Sequence, residues 1–277
     1  MSLHQQVAAL MRRVAADIVA PRFCTLAAHE IADKGAGEIV TCADHEAEAA
    51  LRDGLDRLGA DARIVGEEAC AADPSLLQDI GAGRVWLIDP LDGTANFAAG
   101  RQPFGMMIAL VEDGLPLAGW MLDPVSGRMC EAVRGAGATM DGVPVRVRLC
   151  DRPRPVAALG TQFMDAARRI AVHAAAEKAF DLESIPRCAA ESYPRLVLGR
   201  NDIALFQRIL PWDHAAGVLF LTEAGGCATH WDGSPYRVGS TSTGVLLAAS
   251  QGRHTLAAGL LHALLLDHPI ASEALAS

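Results

Sequence analysis

The hexapeptide Asp89-Pro90-Leu91-Asp92-Gly93-Thr94 concentrates residue types that hold hard cations and phosphate. It follows the apolar run Val85-Trp86-Leu87-Ile88, so both aspartates fall in the turn after a buried strand. Pro90 fixes one backbone torsion in that turn and Gly93 permits an unusual one, which lets two carboxylates converge. Hard cations such as Mg²⁺ prefer oxygen ligands, and the bend can turn the Leu91 carbonyl inward as a further one. The amides of Gly93 and Thr94 can meet a phosphate if a helix starts there. The competing reading is an Asx-turn, with Asp89 and Asp92 bonding only the backbone.

Three other places add acidic groups. Gly66-Glu67-Glu68 follows a second short apolar run, Ala62-Arg63-Ile64-Val65, which puts Glu67 and Glu68 at a strand end or on the solvated surface. Asp44 stands three residues after Thr41 at a helix start, where it favours the positive helix end. In Pro211-Trp212-Asp213-His214-Ala215-Ala216-Gly217, Asp213 is either a helix cap or a ligand, and the small residues after it allow close helix packing. His214 beside it reads as a packing residue rather than a general base. Gly135 and Gly137 do not continue into a dinucleotide fingerprint, because position 140 is Met140, and no P-loop is present.

The elements that must position these groups are short and mixed. Val7 to His29 has helical spacing with a break at Pro21, and a second helix is expected from Thr41 to about Leu58. Met106–Val111, Gly119–Leu122 and Met129–Val133 are strand-like and separated by turn signals, the pattern of an antiparallel meander. Gln162 to Phe180 and Asp213 to Ala224 predict helices, and Val245 to Ala249 a strand. Leu256 to Leu266 predicts a buried terminal helix, too short to span a membrane. The mixture implies an α+β fold of alternating sheet and helix layers, with residues 1–150 as an N-terminal half and 151–277 as a C-terminal half.

Composition sets the outer limits. A chain of 277 residues with 51% hydrophobic and 21% charged residues is globular rather than disordered. Its net charge of −9 makes a nucleic-acid polymer a poor partner. Seven scattered cysteines with no C-x-x-C pair point to neither a disulfide framework nor a zinc knuckle, and the N-terminus lacks the order of a signal peptide. Cytoplasmic residence is the expectation.

Taken in order, Ile39-Val40-Thr41 with Asp44, Gly66-Glu67-Glu68, Trp86 to Phe97, and Pro211 to Gly217 with Glu223-Ala224-Gly225-Gly226 resemble the inositol monophosphatase family of Mg²⁺-dependent, lithium-sensitive phosphatases, over nearly the whole chain. The resemblance implies a layered α-β-α-β-α sandwich, a homodimer, and hydrolysis of a small-molecule phosphomonoester: a phosphorylated polyol, sugar or nucleotide. It further implies one cation held by Glu67, Asp89 and the Leu91 carbonyl and a second held by Asp89, Asp92 and Asp213. A metal-activated water oriented by Thr94 and Glu67 would be the nucleophile, Asp44 would assist through water, and the amides of Gly93 and Thr94 would hold the phosphoryl group.

Departures from that pattern concern the substrate. Phe206 stands seven positions before Asp213, where members that prefer inositol phosphate carry an acidic residue. Ala190-Glu191-Ser192 aligns with a segment that contacts inositol, which makes Glu191 a candidate substrate residue together with Asp92, Gly93, Thr94 and Asp213. Lys34 lies one residue closer to Val40 than in many relatives and receives little weight. Histidinol-phosphate, fructose-1,6-bisphosphate and phosphoadenosine phosphatases are alternatives within the class. A catalytically silent, metal-stabilised binding or regulatory protein is the alternative outside it.

Overall fold

The structure, a computed structural model, describes residues 1–35 and 38–266. Helix α1 (Leu3–Val14) is capped by Ser2 and Gln5, and continues through a π-helical turn (Ala15–Val19) into the short α2 (Ala20–Arg22). The helical spacing that extends to His29 is not used past Arg22, one residue after Pro21, whose ring removes a donor; only a separate 3₁₀ turn forms over Ala28–Glu30. The hairpin β1 (Ile31–Gly35) and β2 (Glu38–Thr41) leads into α3 (Cys42–Asp56). Then come β3 (Arg63–Gly66), α4 (Glu67–Ala72), β4 (Arg84–Asp92) and α5 (Thr94–Ala98).

The expected meander follows as β5 (Gly105–Glu112), β6 (Leu115–Leu122), β7 (Met129–Val133), β8 (Gly137–Met140) and β9 (Val143–Val145). The rest of the chain supplies β10 (Val156–Gly160), α6 (Ala166–Ala176), β11 (Asp181–Glu183), α7 (Ala189–Val197) and β12 (Ile203–Phe206). It closes with α8 (Pro211–Glu223), β13 (Cys227–His230), β14 (Val245–Ala248) and α9 (Gln251–Leu266). Two predicted helices are corrected. Helix α6 is shorter than Gln162–Phe180, because a turn closes from Met164 N to the Thr161 carbonyl and Asp165 caps the helix there. Helix α9 buries only one side, through His254, Ala257, Leu261 and Leu265, and leaves Leu256 and Leu266 exposed.

The seven-stranded sheet has the order β3-β4-β5-β6-β7-β8-β9, antiparallel except for the β3–β4 pair. The five-stranded sheet has the order β11-β10-β12-β14-β13. Strand alternation assigns the cores. Trp86, Ile88, Met106, Ile108 and Trp120 pack with apolar residues of α1 and α3, while Val85, Leu87, Met107 and Ala109 pack with α7 and α8 on the other face. The same second core takes in Ala204, Val245 and Leu247 of the smaller sheet, whose far face carries Leu159, Ile203 and Leu246 against α6 and α9. The layers are therefore α-β-α-β-α. Because helices cover both faces of β4, its apolar run needs no polar alternation.

Small residues let α8 fit between the sheets. A Cβ built on Gly217 would clash with the ring carbons of Tyr193, a fully buried residue of α7. Gly217→Ala is expected to lower stability by about 1–3 kcal/mol through overpacking, read as a drop of several degrees in thermal unfolding. Gly259→Ala, on an open stretch of α9 with nothing within 4 Å, should leave the midpoint unchanged or raise it.

Candidate functional site

Strand β4 ends in a bulge that aims its carboxylates. Asp89 lies opposite Met107 but Asp92 lies opposite Gly105, so three steps on β4 face two on β5. Asp89 Oδ1 accepts a hydrogen bond from the Leu91 amide at 3.0 Å, and Asp92 Oδ2 accepts one from the Ala190 amide at 2.6 Å. The backbone-bonding reading thus accounts for one oxygen of Asp89 and leaves the other, while Asp92 is also met by the Cys188 thiol and the Ala189 amide. Gly93 has φ 85° and ψ 33°, and a Cβ there would lie 3.2 Å from the Pro103 carbonyl oxygen, so only glycine fits the turn into α5.

Neighbouring elements bring in the remaining acids. The parallel register sets Gly66 of β3 beside Ile88 of β4, so Glu67 emerges next to Asp89. Asp213 comes from the first turn of α8, far along the chain from β4. One carboxylate oxygen each from Glu67, Asp89 and Asp213 lie within 4.8 Å of one another. Asp44 belongs to the first turn of α3 and accepts bonds on Oδ2 from the Thr41 amide (2.8 Å) and hydroxyl (2.6 Å). The Thr94 hydroxyl reaches both Asp44 Oδ1 (3.0 Å) and the Leu91 carbonyl oxygen (2.9 Å), its one proton serving one at a time.

Two residues given little or no weight in the sequence support Glu67. Lys34 Nζ lies 3.2 Å from Glu67 Oε1 and 2.7 Å from Glu68 Oε1. Glu48, buried in α3, accepts the first amides of α4, from Glu68 (2.7 Å) and Ala69 (2.9 Å). Its spacing of four from Asp44 places both on one helix face, a signal legible in the sequence.

Crowding of like charge shows in the protonation equilibria. Burial first, then the charges of Glu67, Asp92, Asp213 and Asp44, push Asp89 well above the usual carboxylate range. Burial raises Glu67 to about 7, although the Lys34 ammonium pulls it down. Burial likewise lifts Asp44 to about 6 against its bonds from Thr41. Asp92 also rises through burial, opposed by the Ala190 amide. For Lys34, burial would lower the ammonium, but Glu67 and Glu68 outweigh it and hold it protonated. One ammonium does not balance this many carboxylates, and an all-oxygen donor set with no cysteine or histidine suits a hard divalent cation.

These groups open on a cavity of about 450 Å³, whose lining includes Glu67, Asp89, Leu91, Asp92, Gly93, Thr94 and Asp213. Phe206 is also in the wall. Glu191 is not. Its carboxylate meets Arg128 (2.6 Å), Arg195 (2.9 Å) and Arg200 (3.3 Å). The wall takes Arg187, Cys188 and Ala189 from just before it in the chain. His214 is a buried packing residue, bonded to the Tyr193 hydroxyl at 2.8 Å and kept neutral by burial, which lowers it to about 4.

The family model described as the inositol monophosphatase family matches residues 3–266. A histidinol-phosphatase of Chlorobaculum parvum is 33% identical over 196 residues, covering 70% of this chain and 73% of that one. A chloroplastic phosphatase of Arabidopsis thaliana, IMPL1, is 31% identical over 228 residues, covering 74% of this chain, whereas the match spans only 57% of that protein's length. Among solved structures, an IMPase of Thermotoga maritima superposes with a TM-score of 0.77 at 25% identity, covering 94% of this chain and 96% of that one.

Raised carboxyl pKa values have a sign that can be measured. In the metal-free protein, Glu67 and Asp44 hold protons up to about pH 7 and 6, whereas the unfolded chain releases them near 4. Their contribution to stability is present below about pH 4 and lost as pH rises towards about 7. A divalent cation held by the ionised cluster would reverse that loss. The increase in melting temperature on adding millimolar Mg²⁺ should therefore be larger near pH 8 than near pH 5.5. An increment that is flat or inverted with pH contradicts the assignment.

Proposed function

We propose a function from one premise: the chain belongs to the inositol monophosphatase family, whose members are phosphoric monoester hydrolases. The proposed activity is Mg²⁺-dependent hydrolysis of a small phosphorylated polyol, sugar or nucleotide. The observation that carries it is the meeting of Glu67, Asp89 and Asp213, from three separate elements, within 4.8 Å at one cavity. Glu67, Asp89 and the Leu91 carbonyl would hold one cation. Asp89, Asp92 and Asp213 would hold the second, with Asp89 shared.

Bound cations would supply acidified water and positive charge against the entering and leaving oxygens. The chain's own groups do the rest. Glu67, at the edge of the cluster beside the Lys34 ammonium, takes the proton of the attacking water. Asp44 accepts the Thr94 proton at 3.0 Å, which turns a Thr94 lone pair outward to orient that water. The amides of Gly93 and Thr94, at the start of α5 and without helical acceptors, hold the phosphoryl oxygens as charge develops. Seven free cysteines support a reducing, cytoplasmic setting, and the family resemblance supports a homodimer and inhibition by lithium.

Phosphate release from a panel of phosphomonoesters tests this reading. Turnover should require Mg²⁺ and stop with a chelator. Asp92→Asn and Asp213→Asn should each lower kcat by about 100-fold or more while circular dichroism stays native. Ca²⁺ should bind yet support little turnover, since its looser shell positions water poorly. Full rates in a chelator, or in either variant, would remove the proposed mechanism.

A further inference from the structure

The cavity lies between the carboxyl ends of two sets of parallel strands. In the seven-stranded sheet β3 runs parallel to β4; Glu67 follows the first, and Asp89 and Asp92 close the second. In the five-stranded sheet β10 runs parallel to both β11 and β12, and these strands end at Gly160, Glu183 and Phe206. Much of the remaining wall comes from the segments that leave those three ends. Open sheets bind ligands against such carboxyl edges. The acids take up the edge of the first sheet, so the edge of the second borders the rest of a bound ester.

Each strand of that second edge contributes an apolar side chain to the wall: Phe163 after β10, Ile185 after β11 and Phe206 at the end of β12. Gln162, Arg187 and Arg208 share the edge with them. A Cβ on Gly160 would lie 3.1 Å from Ile185 Cδ1 and 3.3 Å from Phe206 Cδ1, so these two side chains close over one point at the end of β10. The Phe206 ring is fixed by its neighbours. It lies 12° from parallel to the Tyr193 ring, with centres 6.5 Å apart, and edge-on to His214 at 5.0 Å. His214 follows Asp213 in the chain, so this ring adjoins the acids. Phe163 keeps 46% of its surface exposed even with the Arg208 guanidinium 4.4 Å from its ring centre.

We infer that the second edge receives an aromatic ring, so that the substrate is a phosphomonoester whose alcohol carries a nucleobase or simple aryl group against Phe163 and Phe206. This rests on the hydrolase reading above and narrows it. The phosphoryl group sits with the acids and their cations, and the ring lies towards the carboxyl ends of β10, β11 and β12. Flat rings gain from aromatic surfaces by stacking, whereas the hydroxyls of a polyol would lose water there without replacement.

Matched esters that differ only in the ring provide the test, with the Mg²⁺-loaded protein. Adenosine 5′-monophosphate against ribose 5-phosphate probes a nucleobase, and 2-phenylethyl phosphate against ethyl phosphate probes a bare aryl ring; each releases a primary alcohol. In at least one pair kcat/KM should favour the ring-bearing ester by about tenfold or more, chiefly through KM, and the pair that does so identifies the ring. Inositol 1-phosphate should fall below that ester by a similar factor. Phe163→Ser, in the exposed turn after β10, should cut the preference by about threefold or more, while Phe163→Tyr should keep it. Phe163→Ser combined with Phe206→Leu should bring the ratio to within about twofold of unity. Ratios below about threefold in both pairs, inositol 1-phosphate as the best of the five esters, or a preference unchanged in Phe163→Ser would each overturn the ring site and leave the hydrolase reading intact. No release from any ester overturns both.

Discussion

Carboxylates forced together where water is scarce repel one another, and that repulsion is the constraint around which the site is arranged. Glu67, Asp89 and Asp213 place oxygens within 4.8 Å, with Asp89 only 2% exposed. Unit charges at such separations in a protein interior cost several kcal/mol unless protons or cations intervene. In the metal-free chain burial shifts Asp89, Asp92, Glu67 and Asp44 all upward, and like charges nearby add to the shift of Asp89, Glu67 and Asp44. An oxygen-lined cluster that resists ionisation alone is primed for divalent cations, because the same charge that costs free energy when bare favours their binding.

Such an arrangement needs rigid supports from several directions. Strand β4 lies within the seven-stranded sheet between β3 and β5, packed on both faces, and its bulge redirects only the last residues. Helix α8 approaches from the middle layer, held against α7 by the Gly217–Tyr193 fit. Helix α4 begins where Glu48 accepts its first amides, so the backbone that presents Glu67 is itself anchored in α3. Local chemistry and layer packing thus depend on each other: the sandwich places the acids, and the acids account for much of the buried polarity.

Legibility in the sequence followed the range of the interactions concerned. The turn Asp89 to Thr94 could be read directly, since Pro90, Gly93 and the preceding apolar run act within a few residues. The meander and the layered class were equally visible, because strand-length apolar runs and turn residues are local signals. Orientation around a helix axis in an unknown tertiary setting was not. Glu191 shows this: its alignment with a segment that contacts inositol suggested the substrate, yet Arg128, far off in sequence, and Arg195 and Arg200, 4 and 9 residues on, claim its charge. Lys34 was underweighted because its meaning lies in Glu67 and Glu68, which only the fold brings to it. The helix ends at Arg22 and Ala166 depended on a proline and a competing turn, which periodicity alone ignores.

The most direct measurement is anomalous diffraction from crystals grown with Mn²⁺, a redox-quiet stand-in for Mg²⁺ that prefers the same oxygen donors. The account predicts anomalous peaks within coordination distance of Asp89, one shared with Glu67 and one with Asp213. Peaks confined to the protein surface, or a cluster that stays metal-free with its carboxylates turned apart, would contradict it.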